Sequence, residues 1–265
     1  MSYGYGSTRR DSHRAPSWIF LAFVAAFLAT GVALWAEATG ELTGIGTGVT
    51  VFLFVLAGWV VSLCLHEFGH ALTAYKGGDH TIPEKGYLTL NPLKYTHAVL
   101  SIILPLVFVI LGGIGLPGGA VWVQRGLLRS KKVDSAVSAM GPASNAVFAG
   151  VLGILLASGA LDNAGLALRA AVAYLCMLQV TATILNLLPI PGLDGYGIIE
   201  PWLPPEYSRN IAKIAPFGIL LLFVLLLHPT INRYFFEFVY WILGLLGVDT
   251  SMVGLGSRLF RFWTG

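Results

Sequence analysis

The sequence predicts an all-α polytopic membrane protein, with about six transmembrane helices, a re-entrant segment and a small membrane-associated β element. Three observations lead there. The 265 residues are 56% hydrophobic, with a mean hydropathy of +0.76, more than an ordinary soluble domain carries. Only 11% are charged, too few to clothe a large solvated surface. The apolar residues also gather into several runs long enough to cross a bilayer, which takes about 20 residues. The net charge of +3 points to no nucleic-acid partner, and none is expected. Cys64 and Cys176 both lie inside apolar runs and read as packing residues rather than a disulfide.

Residues 1–17 are rich in Gly, Ser, Tyr and Arg and read as a disordered tail. The first span is Trp18 to Ala36. It starts late, is long and lacks a small-residue cleavage site, so no cleavable signal peptide is expected. Glu37 and Glu41 make an acidic turn. The second span, Val49 to about Tyr75, is stopped by Lys76-Gly77-Gly78-Asp79. Arg9, Arg10 and Arg14 before the first span place the N-terminus in the cytoplasm, and Lys76 returns to that side. Tyr87 to Leu90 and Ala120 to Val123 carry strand-like patterns. Between them, Ala98 to Leu116 is apolar but interrupted by Pro105 and ends in a glycine-rich stretch. Arg125, Arg129, Lys131 and Lys132 follow it. A full crossing would put these four outside, so a segment that enters and returns is expected.

Ser135 to Ala160 is the next span, turned outside by Asp162 and Asn163. Ala170 to Ile190 returns. A polar stretch, Glu200 to Lys213, precedes a final pair, Ile214 to Leu227 and Phe235 to Val248. Residues 18–248 thus form one transmembrane domain. Residues 249–265, with Arg258 and Arg261 among Leu259, Phe260, Phe262 and Trp263, read as an interfacial helix on the cytoplasmic side.

The chemistry concentrates in His66-Glu67-Phe68-Gly69-His70. No charge separates His66 from Val49, and ionisable groups at membrane depth mark working sites. Two histidines four apart share one helix face, and both imidazoles can bind the same zinc. A glutamate beside the first ligand can take a proton from a water at that zinc. In a soluble helix this five-residue pattern would carry little weight, but three polar groups in lipid require compensation.

A catalytic zinc usually has three protein ligands. Asp194 is the best third candidate. It ends a span that arrives on the side where His66 and His70 lie, provided that 98–116 does not cross. Taken alone, Asp194-Gly195 after Pro191-Gly192 is an ordinary turn signal. His80, His97 and His228 are rival ligands. His80 and His97 sit in polar flanks, and His228 lies on the opposite face.

His66-Glu67-x-x-His70, Gly141-Pro142-x-x-Asn145 and Asn186-x-x-Pro189-x-x-x-x-Asp194-Gly195 together resemble the site-2 protease family of intramembrane zinc metalloproteases. The resemblance covers about Val49 to Gly195, the catalytic core. Asn91-Pro92-Leu93-Lys94 before the re-entrant stretch looks like the bacterial branch, and the chain has no room for a PDZ or cystathionine-synthase-type domain. The resemblance implies one zinc per chain, held by His66, His70 and Asp194. It implies Glu67 as general base, Asn186 assisting near the scissile carbonyl, and membrane-protein substrates cut within a transmembrane segment. Asn145 reads as a packing residue at a structural bend. An extended substrate could add to Tyr87–Leu90 or Ala120–Val123 as an edge strand. A transporter, a non-proteolytic metal-binding scaffold, or a prenyl-protein protease using Glu200 or Glu237 are the alternatives.

Overall fold

In lipid, a backbone must satisfy its own hydrogen bonds, so apolar runs of bilayer length fold as helices. The computed structural model describes residues 15–36, 45–95, 121–213 and 217–264. Within them, four helices are long and apolar enough to cross a membrane. They are α1 (Trp18–Ala36), α2 (Ile45–Gly77), α3 (Lys131–Ala157) and α4 (Leu166–Leu187). Hydropathy does not tell inner helices from outer ones: α1 and α2 score 2.3 and 2.4. Burial does, since the α4 span is 83% buried and the α1 span 11%. The main core packs α4 against α2 and α3 through Val51, Trp59, Leu152, Tyr174 and Leu178. Cys64 and Cys176 are buried and free.

After α4 come the short helices α5 (Asp194–Ile199) and α6 (Pro205–Ala212), then α7 (Gly218–Leu227), α8 (Pro229–Leu245) and α9 (Thr250–Phe260). The expected final pair of separate spans is not what forms. α7 has 10 residues, and it meets α8 at a bend of 94°, so the two together make at most one broken span. The bend has a local cause. Pro229 opens α8, and the residue before it, His228, is extended at φ −72°, ψ 119°, as a pre-proline residue prefers. The described residues therefore hold four spans, or five with the bent pair, rather than six.

The strand expected at Tyr87 to Leu90 is instead a 3₁₀ turn, Tyr87–Thr89. Two left-handed residues bracket it, Gly86 at φ 75° and Leu90 at φ 55°. Tyr87 and Leu88 are both buried, whereas neighbours on a strand would face opposite ways. Residues 121–123 have no regular secondary structure, and the described residues contain no strand. The acidic turn at Glu37 and Glu41, the apolar stretch 98–116, His97 and Ala120 lie outside the described residues.

The C-terminal segment lies at the other end of the bundle from the one expected. α9 packs one face, Val253, Gly256 and Phe260, on the bundle and leaves Thr250, Ser251, Gly254 and Arg258 exposed. Tyr174 of α4 meets Phe260 with ring centroids 5.4 Å apart, and a Cβ on Gly256 would strike the Ala170 carbonyl. Gly48, in the first turn of α2, lies against Phe262. His66 is 18 residues further along α2, about 27 Å at helical rise. The C-terminal segment therefore sits at the end of the bundle remote from the histidines, not at theirs. Small residues permit this close helix contact, which is how helices associate where lipid supplies no hydrophobic drive.

At the other end, Asp79 ties two loops together. Its carboxylate accepts from the Thr81 N–H at 3.1 Å, the Thr81 hydroxyl at 2.6 Å and the Gln124 N–H at 2.7 Å. Burial pushes this carboxyl up, but the hydrogen bonds and Lys85 outweigh it and hold Asp79 below its usual range. A carboxylate depressed in the fold stabilises it above the unfolded pKa, and loses that contribution as pH falls through the folded one. Proteolytic nicking of 79–94 in the wild-type protein should therefore rise as pH drops below about 4. Asp79→Asn should be nicked more at neutral pH, with a flatter pH dependence. Equal nicking of the two proteins at every pH would refute this role.

Candidate metal centre

The site forms where α2 and α3 cross. A Cβ on Gly69 would lie 2.7 Å from the Met140 carbonyl and 2.8 Å from Ser144 Oγ. A Cβ on Gly141 would collide with His70 Nε2 and lie 2.6 Å from His66 Nε2. Glycine at both positions lets the α3 backbone approach the two imidazoles. Pro142 follows at once and lacks an N–H, so the Ser138 carbonyl four residues back has no helical donor from it. One residue earlier, the Val137 carbonyl accepts from His70 Nδ1 at 2.7 Å.

Asp194 arrives from a third element. A tight turn after α4 brings α5 back so closely that a Cβ on Gly195 would strike the Leu187 and Leu188 backbone. Ser135 of α3 donates to the Ile198 carbonyl at 2.6 Å, and Trp202 Nε1 donates to Ser135 Oγ at 2.8 Å. Arg125 pairs with Asp134 and reaches Ser138 Oγ at 3.4 Å, beside Gly197. The helix carrying Asp194 is thus pinned to the helix that supports His70.

The donor atoms converge. His66 Nε2 and His70 Nε2 are 3.0 Å apart. Asp194 Oδ2 lies 3.2 Å from His66 Nε2, and Oδ1 lies 3.3 Å from His70 Nε2. Ligands on a tetrahedral zinc at 2.0–2.1 Å sit about 3.3 Å from one another. A carbonyl can only accept, so His70 carries its proton on Nδ1. His66 Nδ1 faces Asn145 Oδ1 at 3.0 Å and donates there likewise. Both Nε2 lone pairs then point toward each other and toward a carboxylate, a repulsive set that a cation resolves. Glu67 is 1% exposed, and its Oε2 has no partner among the described residues. His66, Glu67 and His70 form the metal-type cluster found among those residues. The residues present fit zinc.

The structure brings His66, Glu67, His70 and Asp194 together. Asn186 is buried and lines a small cavity with His66 and Asn145. The rival ligand His80 packs its ring on Tyr75, and His228 stands at the N-terminal boundary of α8 without a side-chain capping bond. Glu200 accepts from Ser208, and Glu237 pairs with Arg233 on an exposed face. Sequence reasoning gave Asn145 a packing role, whereas its side chain bonds a site histidine. The signal was present in its buried amide three residues after a proline. The Val137 carbonyl had no side-chain signal.

Fold and site define a multi-helix membrane protein with a buried His-Glu-His cluster that could hold a metal, and an aspartate beside it. The chain is 49% identical over 251 residues to "Putative zinc metalloprotease Rip2" of Mycolicibacterium smegmatis, covering 94% of this chain and 95% of that protein. It is 46% identical over 257 residues to the protein of the same name from Mycobacterium tuberculosis, covering 97% of each. A more distant relative, "Putative zinc metalloprotease YwhC" of Bacillus subtilis, is 30% identical over 210 residues, 76% of this chain and 90% of that one. The protein belongs to the family of these relatives, in agreement with the site-2 protease resemblance of its motifs. No family model and no solved structure matches the chain.

Two substitutions test the cradle. Gly141→Ala should abolish stoichiometric metal binding while the protein keeps its helical circular dichroism, because the added methyl occupies the donors' space. Asn145→Ala should weaken zinc affinity by about 10- to 100-fold, the usual cost of losing a partner that orients a ligand. Competition against a chelating dye reads both. Wild-type affinity in either variant would show that this crossing does not shape the metal centre.

Proposed function

We propose that this protein is an intramembrane zinc metalloendopeptidase of the site-2 protease type, which hydrolyses peptide bonds within the transmembrane segments of membrane-protein substrates in regulated intramembrane proteolysis. It is a multi-pass cell-membrane protein with a cytoplasmic N-terminus, the orientation favoured by Arg9, Arg10 and Arg14. One observation carries the reading. Three donors from α2 and α5 converge within 3.0–3.3 Å, and a buried glutamate with a free oxygen stands next to the first of them. The names of the relatives point the same way.

His66, His70 and Asp194 would hold the zinc, which when bound would lower the pKa of a water toward 7 and polarise a carbonyl. The chain's own residues do the rest. Glu67 accepts the proton of the attacking water and delivers it to the departing amine nitrogen. Its burial keeps it from exchanging that proton with bulk solvent. The Asn186 amide donates to the scissile carbonyl oxygen as negative charge develops there. Asn145 and Val137 hold the two imidazoles with Nδ1 protonated, so that Nε2 is free to ligate.

Purified protein should hold about one zinc per chain and cut a single-span substrate. Glu67→Gln should keep the zinc and lose turnover by at least about 100-fold, the scale of a general base. Asp194→Asn should lose both zinc and activity. Zinc content by mass spectrometry and a gel-based cleavage assay measure these. A wild-type protein without zinc, or a Glu67→Gln variant that cuts normally, would defeat the assignment.

A further inference from the structure

We propose that the small space beside His66, between α2 and α4, is a bound-water site that stores water for hydrolysis; this rests on the hydrolase reading above. The space measures about 10 Å³, and Trp59, Ser62, His66, Asn145 and Asn186 are among its lining residues. That is room for about one water and for nothing larger. Trp59, Ser62 and His66 share one face of α2 at helical spacing, and Gln179 and Asn186 share one face of α4. Ser62 donates its hydroxyl to Gln179 Oε1. That bond takes the acceptor end of the amide and leaves the donor end, Gln179 Nε2, without a partner among the described residues. Trp59 Nε1 also lacks one. Gln179 is 0% exposed and Trp59 4%. Two unmet donors at membrane depth are expensive, and lipid offers them nothing.

A polar cavity with two to four hydrogen-bonding groups holds water, whereas an apolar one stays dry. A water here accepts from Trp59 Nε1 and can donate to the Asn186 amide oxygen or to Ser62 Oγ; Gln179 borders the space only through Ser62. His66, Asn145 and Asn186 line the space, so a water here is one side chain away from the converging donors, on the flank where Asn145 holds His66 Nδ1. Each hydrolysis consumes one water; this one supplies a turnover without a wait for bulk solvent, and bulk water then refills the space.

Trp59→Phe keeps the ring and removes the donor; Ser62→Ala removes a lining hydroxyl and gives a second, independent reading if the first variant folds poorly. Infrared spectra in H₂¹⁶O and H₂¹⁸O should show an isotope-shifted O–H stretch of a buried water in the wild type, lost in both variants. Cleavage should slow by about tenfold in kcat, the scale of one hydrogen bond, with KM and zinc content unchanged. A band that survives in both variants, or wild-type kcat in both, overturns the proposal. A wild type that holds zinc but never cleaves would refute the hydrolase reading and with it the storage role, while the infrared band separately decides whether the water is bound.

Discussion

The close crossing of α2 and α3 at Gly69 and Gly141 is the constraint on which the rest of the site depends. Each glycine removes a Cβ that would meet the partner helix or its histidines. With the backbones this near, the Val137 carbonyl and the Asn145 side chain reach the two imidazoles. The tautomers follow from those bonds, and the direction of the lone pairs follows from the tautomers. Hydrophobic burial cannot drive such a crossing in lipid, because the tails are as apolar as the side chains. Close packing and buried hydrogen bonds have to do so. The residues that assemble the site are thus also residues that hold the bundle together.

The carboxylate is held differently. His66 and His70 stand on one continuous helix, whereas Asp194 opens a six-residue helix that could not persist alone. Its position comes from Ser135 and Trp202 on one side and from the tight return past Leu187 on the other. Asp194 is also the least enclosed of the three, with a side chain 21% exposed against 5% for His66. A rigid pair of donors and a separately mounted third are therefore joined through α3, which touches both.

Much of this was legible in the sequence. The histidine pair needs only helical spacing, a local property. The nearness of Asp194 followed from counting crossings, because hydropathy marks each span and parity fixes the side on which it ends. What escaped depended on tertiary contact or on backbone atoms. A carbonyl such as Val137 has no side-chain signature. Tyr87 to Leu90 alternates in hydropathy, yet so short a run does not outweigh the left-handed backbone at Gly86 before it and at Leu90, its own last residue. The docking of α9 rests on Gly256 and Phe260 finding Ala170 and Tyr174, and a run of that composition equally suits an interfacial helix. The break at Pro229 was present in the residues, but the apolar length on both sides read as two spans.

The distribution of polar groups also bears on what the bundle can do. A conducting or transporting protein needs polar groups along a path across the membrane. Among the described residues of the four spans, the buried polar side chains are Ser62, His66, Glu67, His70, Ser138, Asn145, Gln179, Thr181 and Asn186. They fall within 62–70 of α2, 138–145 of α3 and 179–186 of α4, and each stretch covers only about 10–12 Å at helical rise, against a hydrocarbon core of about 30 Å. Beyond them toward the α2 N-terminus the interior is Val51, Phe54 and Val55. Among the described residues this is a polar band on three neighbouring helices, bounded by apolar side chains at one end. Such a band suits a reaction that needs water and charge held at one point, and among those residues it does not continue along the spans as a polar path.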